Sequence, residues 1–142
     1  MIQASPTTDT NRAEREFTGM SEEFRNRRVL VVDDEALIRW SLTQTLEDLG
    51  FDVQQASTGF DALTCIRSAD FDVVLLDFRL PDSNDLNLLA QVRDLSPESA
   101  VILMTAFSTP EATQGALAAG AVRVVNKPFE MSDMAGYVAQ AL

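Results

Sequence analysis

Asp72-Val73-Val74-Leu75-Leu76-Asp77-Phe78-Arg79-Leu80-Pro81 is an apolar run of strand length that stops on a carboxylate and passes into a proline turn. β-Branched and leucine side chains without polar alternation suit a strand covered on both faces, as parallel strands of α/β proteins are. Asp77 then falls at the carboxyl end of that strand. In open α/β sheets this is the edge where ligands bind, so an acid there is placed for chemistry. Read alone, the same aspartate also serves to open a turn.

Upstream, Val29-Leu30-Val31-Val32 repeats the pattern and ends on Asp33-Asp34. From Glu35 the spacing turns helical: Ile38, Leu42, Thr45, Leu46 and Leu49 share a face, and Gly50 follows as the terminating residue. Trp40 lies off that stripe and is predicted to be exposed. Residues 51–56 form a weaker, more polar strand of the edge kind, and Phe60, Leu63 and Ile66 mark a short helix after it. Downstream of Asp77, Asp82-Ser83-Asn84-Asp85 offers caps for a helix that buries Leu88, Leu89, Val92 and Leu95. Ala100-Val101-Ile102-Leu103-Met104 is a third apolar strand, ending on Thr105. Thr109-Pro110-Glu111 then opens a helix whose inward side is mostly alanine with Leu117, a weak anchor, and Gly120 closes it. Val122, Val124 and Val125, interrupted by Arg123 and Asn126, make an edge-like strand leading to Lys127-Pro128, and a last helix runs over Met134, Tyr137, Val138 and Leu142.

Five strands alternating with five helices imply a doubly wound α/β sheet. With the three most apolar strands central and the second and fifth at the edges, the order is 2-1-3-4-5, the flavodoxin-like five-stranded parallel sheet. Residues 28–142 form this domain. Residues 1–27, with Pro6, a Thr/Asp/Asn cluster and Phe17, Met20 and Phe24 as the larger apolar groups after Ile2, read as a mobile lead-in with room for a short helix.

A chain of 142 residues, 46% of them hydrophobic, suits one domain with a real core. A formal net charge of −11 opposes direct binding to nucleic-acid phosphates or an anionic membrane surface. One cysteine, Cys65, and no histidine leave a zinc site or a disulfide framework without ligands. No apolar run approaches a membrane span and the start Met-Ile-Gln-Ala-Ser lacks the features of a signal peptide, so the expected setting is cytoplasmic and the membrane is not an expected partner.

The expected topology brings Asp33, Asp34, Asp77, Thr105 and Lys127 to one edge of the sheet. Three carboxylates in one pocket repel unless a cation sits among them. Oxygen ligands with room for water favour Mg²⁺, commonly held by one or two carboxylates plus a phosphate. Lys127 is the one lysine beside ten arginines, and a compact ammonium suits a phosphoryl oxygen. Taken singly, Asp33-Asp34 also reads as a capping pair, Thr105 as a strand-end threonine and Lys127 as a surface lysine near a turn.

Together the motifs Val-Val-Asp-Asp-Glu at 31–35, Leu-Leu-Asp-Phe-Arg-Leu-Pro-Asp at 75–82, Met-Thr-Ala at 104–106 and Asn-Lys-Pro-Phe at 126–129 resemble a response-regulator receiver domain of two-component signalling over residues 28–142. The resemblance implies Asp77 as phosphoacceptor, with Asp34, Asp77 and the backbone carbonyl of Arg79 as Mg²⁺ ligands and Asp33 helping through water. It also implies Thr105 and Lys127 on the phosphoryl oxygens, and a Lys127–Pro128 bond that is commonly cis. A sensor histidine kinase is the implied partner. Such a domain catalyses its own phosphorylation and dephosphorylation and is not a conventional turnover enzyme. Ile38-Arg39-Trp40 and Arg79-Leu80-Pro81-Asp82 are similar to receivers of the NtrC type, which are usually fused to an ATPase and a DNA-binding output; a homodimer on phosphorylation is compatible with this. Two positions depart from the family pattern: Asp85 stands where a glycine is usual, and Val124 where an aromatic is. Arg79 and Phe107, each two residues past a site residue, are expected to rim the pocket.

A degenerate receiver acting only as an interaction module would keep the fold without the chemistry. A phosphatase of the haloacid-dehalogenase type needs an Asp-x-Asp nucleophile after the first strand, where this chain has Asp33-Asp34-Glu35. An FMN binder needs a Ser/Thr/Gly phosphate loop there, and acids occupy it.

Overall fold

The computed structural model describes residues 24–142. Strands β1 (Arg28–Val32), β2 (Asp52–Ala56), β3 (Val73–Asp77), β4 (Ala100–Thr105) and β5 (Ala121–Asn126) alternate with helices α1 (Ala36–Asp48), α2 (Gly59–Ser68), α3 (Asn87–Leu95), α4 (Pro110–Ala118) and α5 (Met131–Gln140). All strand pairs are parallel and the order is β2-β1-β3-β4-β5, the expected arrangement. Of the expected lead-in, residues 1–23, with Phe17 and Met20, lie outside the described residues. Phe24 is buried and stacks on Phe51, with ring centroids 4.5 Å apart, so the ordered unit includes the residues just ahead of Arg28.

The apolar strands serve two cores because successive side chains point to opposite faces of a strand. Leu30, Val32, Val74, Leu76, Val101 and Leu103 pack with Ala62, Ile66, Leu88, Leu89, Val92 and Ala116 of α2, α3 and α4. Val29, Val31, Val73, Leu75, Ile102 and Met104 pack with Leu42, Leu46, Met134 and Val138 of α1 and α5. Every residue of β3 is buried, as a central strand covered on both faces requires. β2 is largely exposed, and β5 is an edge whose pairing skips Val122, leaving that side chain in solvent. Gly50 and Gly120 follow α1 and α4 with φ of 105° and 111°, the left-handed turn that side chains with a Cβ resist.

Several apolar residues face the other way from the expected stripes. Phe60, Leu95 and Leu117 are exposed. In α2 the buried face is Gly59, Ala62 and Ile66, and α4 buries Ala116 alone. α3 starts two residues past the four expected caps. Of these, Asp85 accepts from the Asn87 N–H at 2.9 Å, whereas Asp82 turns to another helix and accepts from the Gly59 and Phe60 N–H groups of α2 at 2.8 and 3.0 Å. Those two donors hold the Asp82 carboxyl below its ordinary pKa. α5 ends at Gln140, short of Leu142.

Candidate functional site

The carboxyl edges of β1, β3, β4 and β5 meet at one place. Asp33 and Asp34 follow β1 directly, and one carboxylate oxygen from each lies with one from Asp77 inside a group spanning 4.8 Å. Asp33 and Asp77 are buried and Asp34 is exposed. Lys127 is brought in from the end of β5 by the Lys127 N–H bond to the Thr105 carbonyl at 2.8 Å, and the Lys127–Pro128 peptide is cis. Its ammonium donates to Asp33 Oδ2 at 2.7 Å and Glu35 Oε1 at 3.1 Å, and lies 3.2 Å from Asp77 Oδ2.

Three carboxylates therefore share one lysine. Burial, and then the Asp33 charge, push the Asp77 carboxyl up to about 6 against the opposing pull of Lys127 and the Arg79 N–H. Burial draws the Lys127 ammonium down, but the hydrogen bond to and charge of Asp33, with Asp77 and Glu35, outweigh it and hold the pKa above its ordinary value. One ammonium among Asp33, Asp34, Glu35 and Asp77 leaves the cluster net negative, and hard oxygen donors of this kind fit a small divalent cation.

Thr105 ends β4 beside Met104, the register partner of Asp77, and is buried; its Oγ1 accepts from the Phe107 N–H at 3.2 Å. Arg79 follows Asp77 by two residues, and its N–H donates to Asp77 Oδ1 at 3.2 Å. Its guanidinium sits 5.1 Å from the centroid of the Phe107 ring, so the two expected rim residues meet each other. The loop after β3 is closed by paired bonds between Leu80 and Ser83, at 2.7 and 3.2 Å.

Glu35 is the site residue that sequence reasoning left without a role. It is the third acid of the Asp33-Asp34-Glu35 run, and its N–H donates to Asp33 Oδ1 at 2.9 Å, which turns its own carboxylate toward Lys127. A third acid after a strand-end pair was the available signal. No helix among the described residues is long and apolar enough to cross a membrane.

The response regulator receiver domain model matches residues 29–139. The regulatory protein AtoC of Escherichia coli K12 is 36% identical over 115 residues, which are 81% of this chain and 25% of AtoC. The DNA-binding transcriptional regulator NtrC of the same organism is 35% identical over 80% of this chain and 24% of its own length. The chain thus spans about a quarter of the curated relatives it matches. A CheY-like receiver domain protein from Methanospirillum hungatei JF-1 superposes with a TM-score of 0.77 at 32% identity, covering 80% of this chain and 91% of that one. Matched motifs, sheet order and family model agree, and the chain belongs to the response regulator receiver domain family of two-component systems, with relatives of the NtrC type.

Proposed function

We propose that Asp77 accepts a phosphoryl group from the phosphohistidine of a sensor kinase or from a small donor such as acetyl phosphate. A carboxylate oxygen of Asp77 attacks phosphorus, the bond to the donor nitrogen or oxygen breaks, and the electron pair leaves with the donor, giving an aspartyl phosphate. What carries this reading is Asp77 itself: a buried carboxylate at a strand end, pushed up to about 6, within 3.2 Å of a lysine whose other partners are also acids.

Asp33, Asp34, Asp77 and the backbone carbonyl of Arg79 are the groups that would hold Mg²⁺, Asp33 through water. Bound there, the ion would supply positive charge against the phosphoryl oxygens. Lys127 neutralises the transferring group and Thr105 donates its hydroxyl to it, which is positioning and electrostatics with little further chemistry. The new group brings about −2 of charge. Its reporting surface is the face of α4 and β5, and that face would support a homodimer on phosphorylation. By likeness to NtrC and AtoC, the consequence is regulation of transcription through ATPase and DNA-binding parts that the matched quarter does not include.

Labelling with acetyl phosphate and magnesium is the test. The native chain is expected to gain one phosphoryl group and Asp77→Asn none; persistent labelling of Asp77→Asn would falsify the assignment.

A further inference from the structure

Between the loop after β4 and helix α4 lies a largely apolar cavity of about 170 Å³, lined by Phe78, Leu86, Leu103, Gly115 and Val124 and by Thr105. Two small residues leave it open. Val124 of β5 is only partly buried, and a Cβ added at Gly115 would meet nothing closer than Leu86 Cδ1, at 3.7 Å. Space on this scale takes an aromatic ring, since an apolar protein cavity of ~150 Å³ accommodates benzene. Phe107 also lines it, yet that side chain is 71% exposed, at the mouth rather than inside.

One contact holds the ring there and another fixes its backbone. The Arg79 guanidinium lies over the ring, and the Phe107 N–H is fixed to Thr105 Oγ1. Both lead back to Asp77: the Arg79 N–H donates to Asp77 Oδ1, and Thr105 stands next to Met104, paired with Asp77 across the sheet. We infer that Phe107 is a latch, held out by Arg79 and Thr105 and released into the Val124–Gly115 cavity when Asp77 is phosphorylated. This rests on the phosphoacceptor reading above. A phosphoryl dianion draws the guanidinium off the ring and pulls the threonine hydroxyl toward itself, which carries Oγ1 away from the Phe107 N–H, and an exposed cation–π contact is a weak one to begin with. Burial of the ring then becomes the favourable course. It also supplies α4, which buries only Ala116, with a contact on its Gly115 side that reports the state of Asp77.

The test places 4-fluorophenylalanine at position 107 of the full chain and reads the solvent isotope shift of its fluorine resonance in H₂O against D₂O, with phosphorylation followed by intact mass. In the unphosphorylated chain the shift should be that of an exposed ring, and it should be lost in the phosphorylated chain. Gly115→Leu, which fills the cavity, should take up the phosphoryl group equally and keep the exposed shift; if that variant is unfolded, Val124→Phe fills the same space from the sheet. An exposed shift in fully phosphorylated native chain would overturn the latch alone, as would loss of the shift in a folded, cavity-filled variant. Failure of the native chain to gain any phosphoryl mass would overturn the Asp77 reading, and the latch with it.

Discussion

Asp77 is stabilised in its protonated form, and this fixes the sign of its pH effects. A carboxyl whose folded-state pKa is raised to about 6 binds its proton more tightly folded than unfolded. Its contribution to stability is complete below the ordinary carboxylate range and is lost as pH rises through about 6. In chelator, the native chain should therefore become less stable between pH 4 and 7, and Asp77→Asn should be the more stable protein at pH 7. The difference is on the order of 3 kcal/mol in urea denaturation, since the carboxyl rises from 3.8 to about 6 and one pKa unit corresponds to ~1.4 kcal/mol. Magnesium should reverse that ranking, because the variant lacks a ligand. By the same linkage Mg²⁺ affinity should fall as pH drops below about 6, by up to about tenfold per pH unit if one proton is taken up; the exposed Trp40, six residues from Asp34, offers a fluorescence titration. A pH-independent affinity between 5 and 7 would contradict the proposed role of Asp77 as ligand. The positions of Asp33, Asp34, Asp77 and Thr105 were legible because each ends or directly follows an apolar strand, and that of Lys127 because the one lysine stands at the end of the edge strand. Glu35 was not, because its place beside Lys127 depends on the turn between β1 and α1, where its N–H donates to Asp33.

Among the elements, α2 owes its start to a residue outside it. Asp82, 23 positions beyond Gly59, accepts from the first two N–H groups of the helix, while Thr58 caps it locally through the Asp61 N–H at 3.0 Å. Asp82→Ala should cost about 1 kcal/mol in urea denaturation, the usual worth of a helix-start acceptor. The lowered carboxyl pKa means that this contribution is present above the ordinary carboxylate range and is lost as pH falls through the depressed value, so variant and native chain should converge in strong acid. α4 is the weak element, with Ala116 as its buried residue. Its amides over residues 111–118 should exchange faster than those of α3, which buries Leu88, Leu89 and Val92, and should gain protection with beryllofluoride and magnesium. Strong protection of α4 without the mimic would contradict this. The alanine-rich sequence announced that weakness, whereas Phe60, Leu95 and Leu117 misled because a helix of two to three turns supports more than one apolar stripe. No periodicity can show that Asp82 serves a helix that precedes it in the chain.

For the molecule as a whole, the order of the sheet followed from apolar runs and polar edges, since burial on two faces leaves a plain compositional mark. Leu37 and Trp40 are both exposed on α1, which begins at the site edge, and such an aromatic suits a partner contact. Trp40→Ala should slow phosphotransfer from a cognate kinase several-fold and leave labelling by acetyl phosphate unchanged; equal rates from the kinase would dismiss the contact. At the opposite edge, the amino end of β1 is clasped to β2 by Arg28 to Asp52 at 3.2 Å and the Phe24–Phe51 stack, and to the start of β3 by the Arg28 N–H to Asp72 at 2.8 Å. A strand of five residues puts roughly 16 Å between that clasp and Asp77. The chain thus enters the fold at the end remote from the chemistry. Substitutions or labels at this clasp would sit a strand's length from the phosphoryl edge, Trp40 and the Phe107 loop, so they can report folding without touching the chemistry.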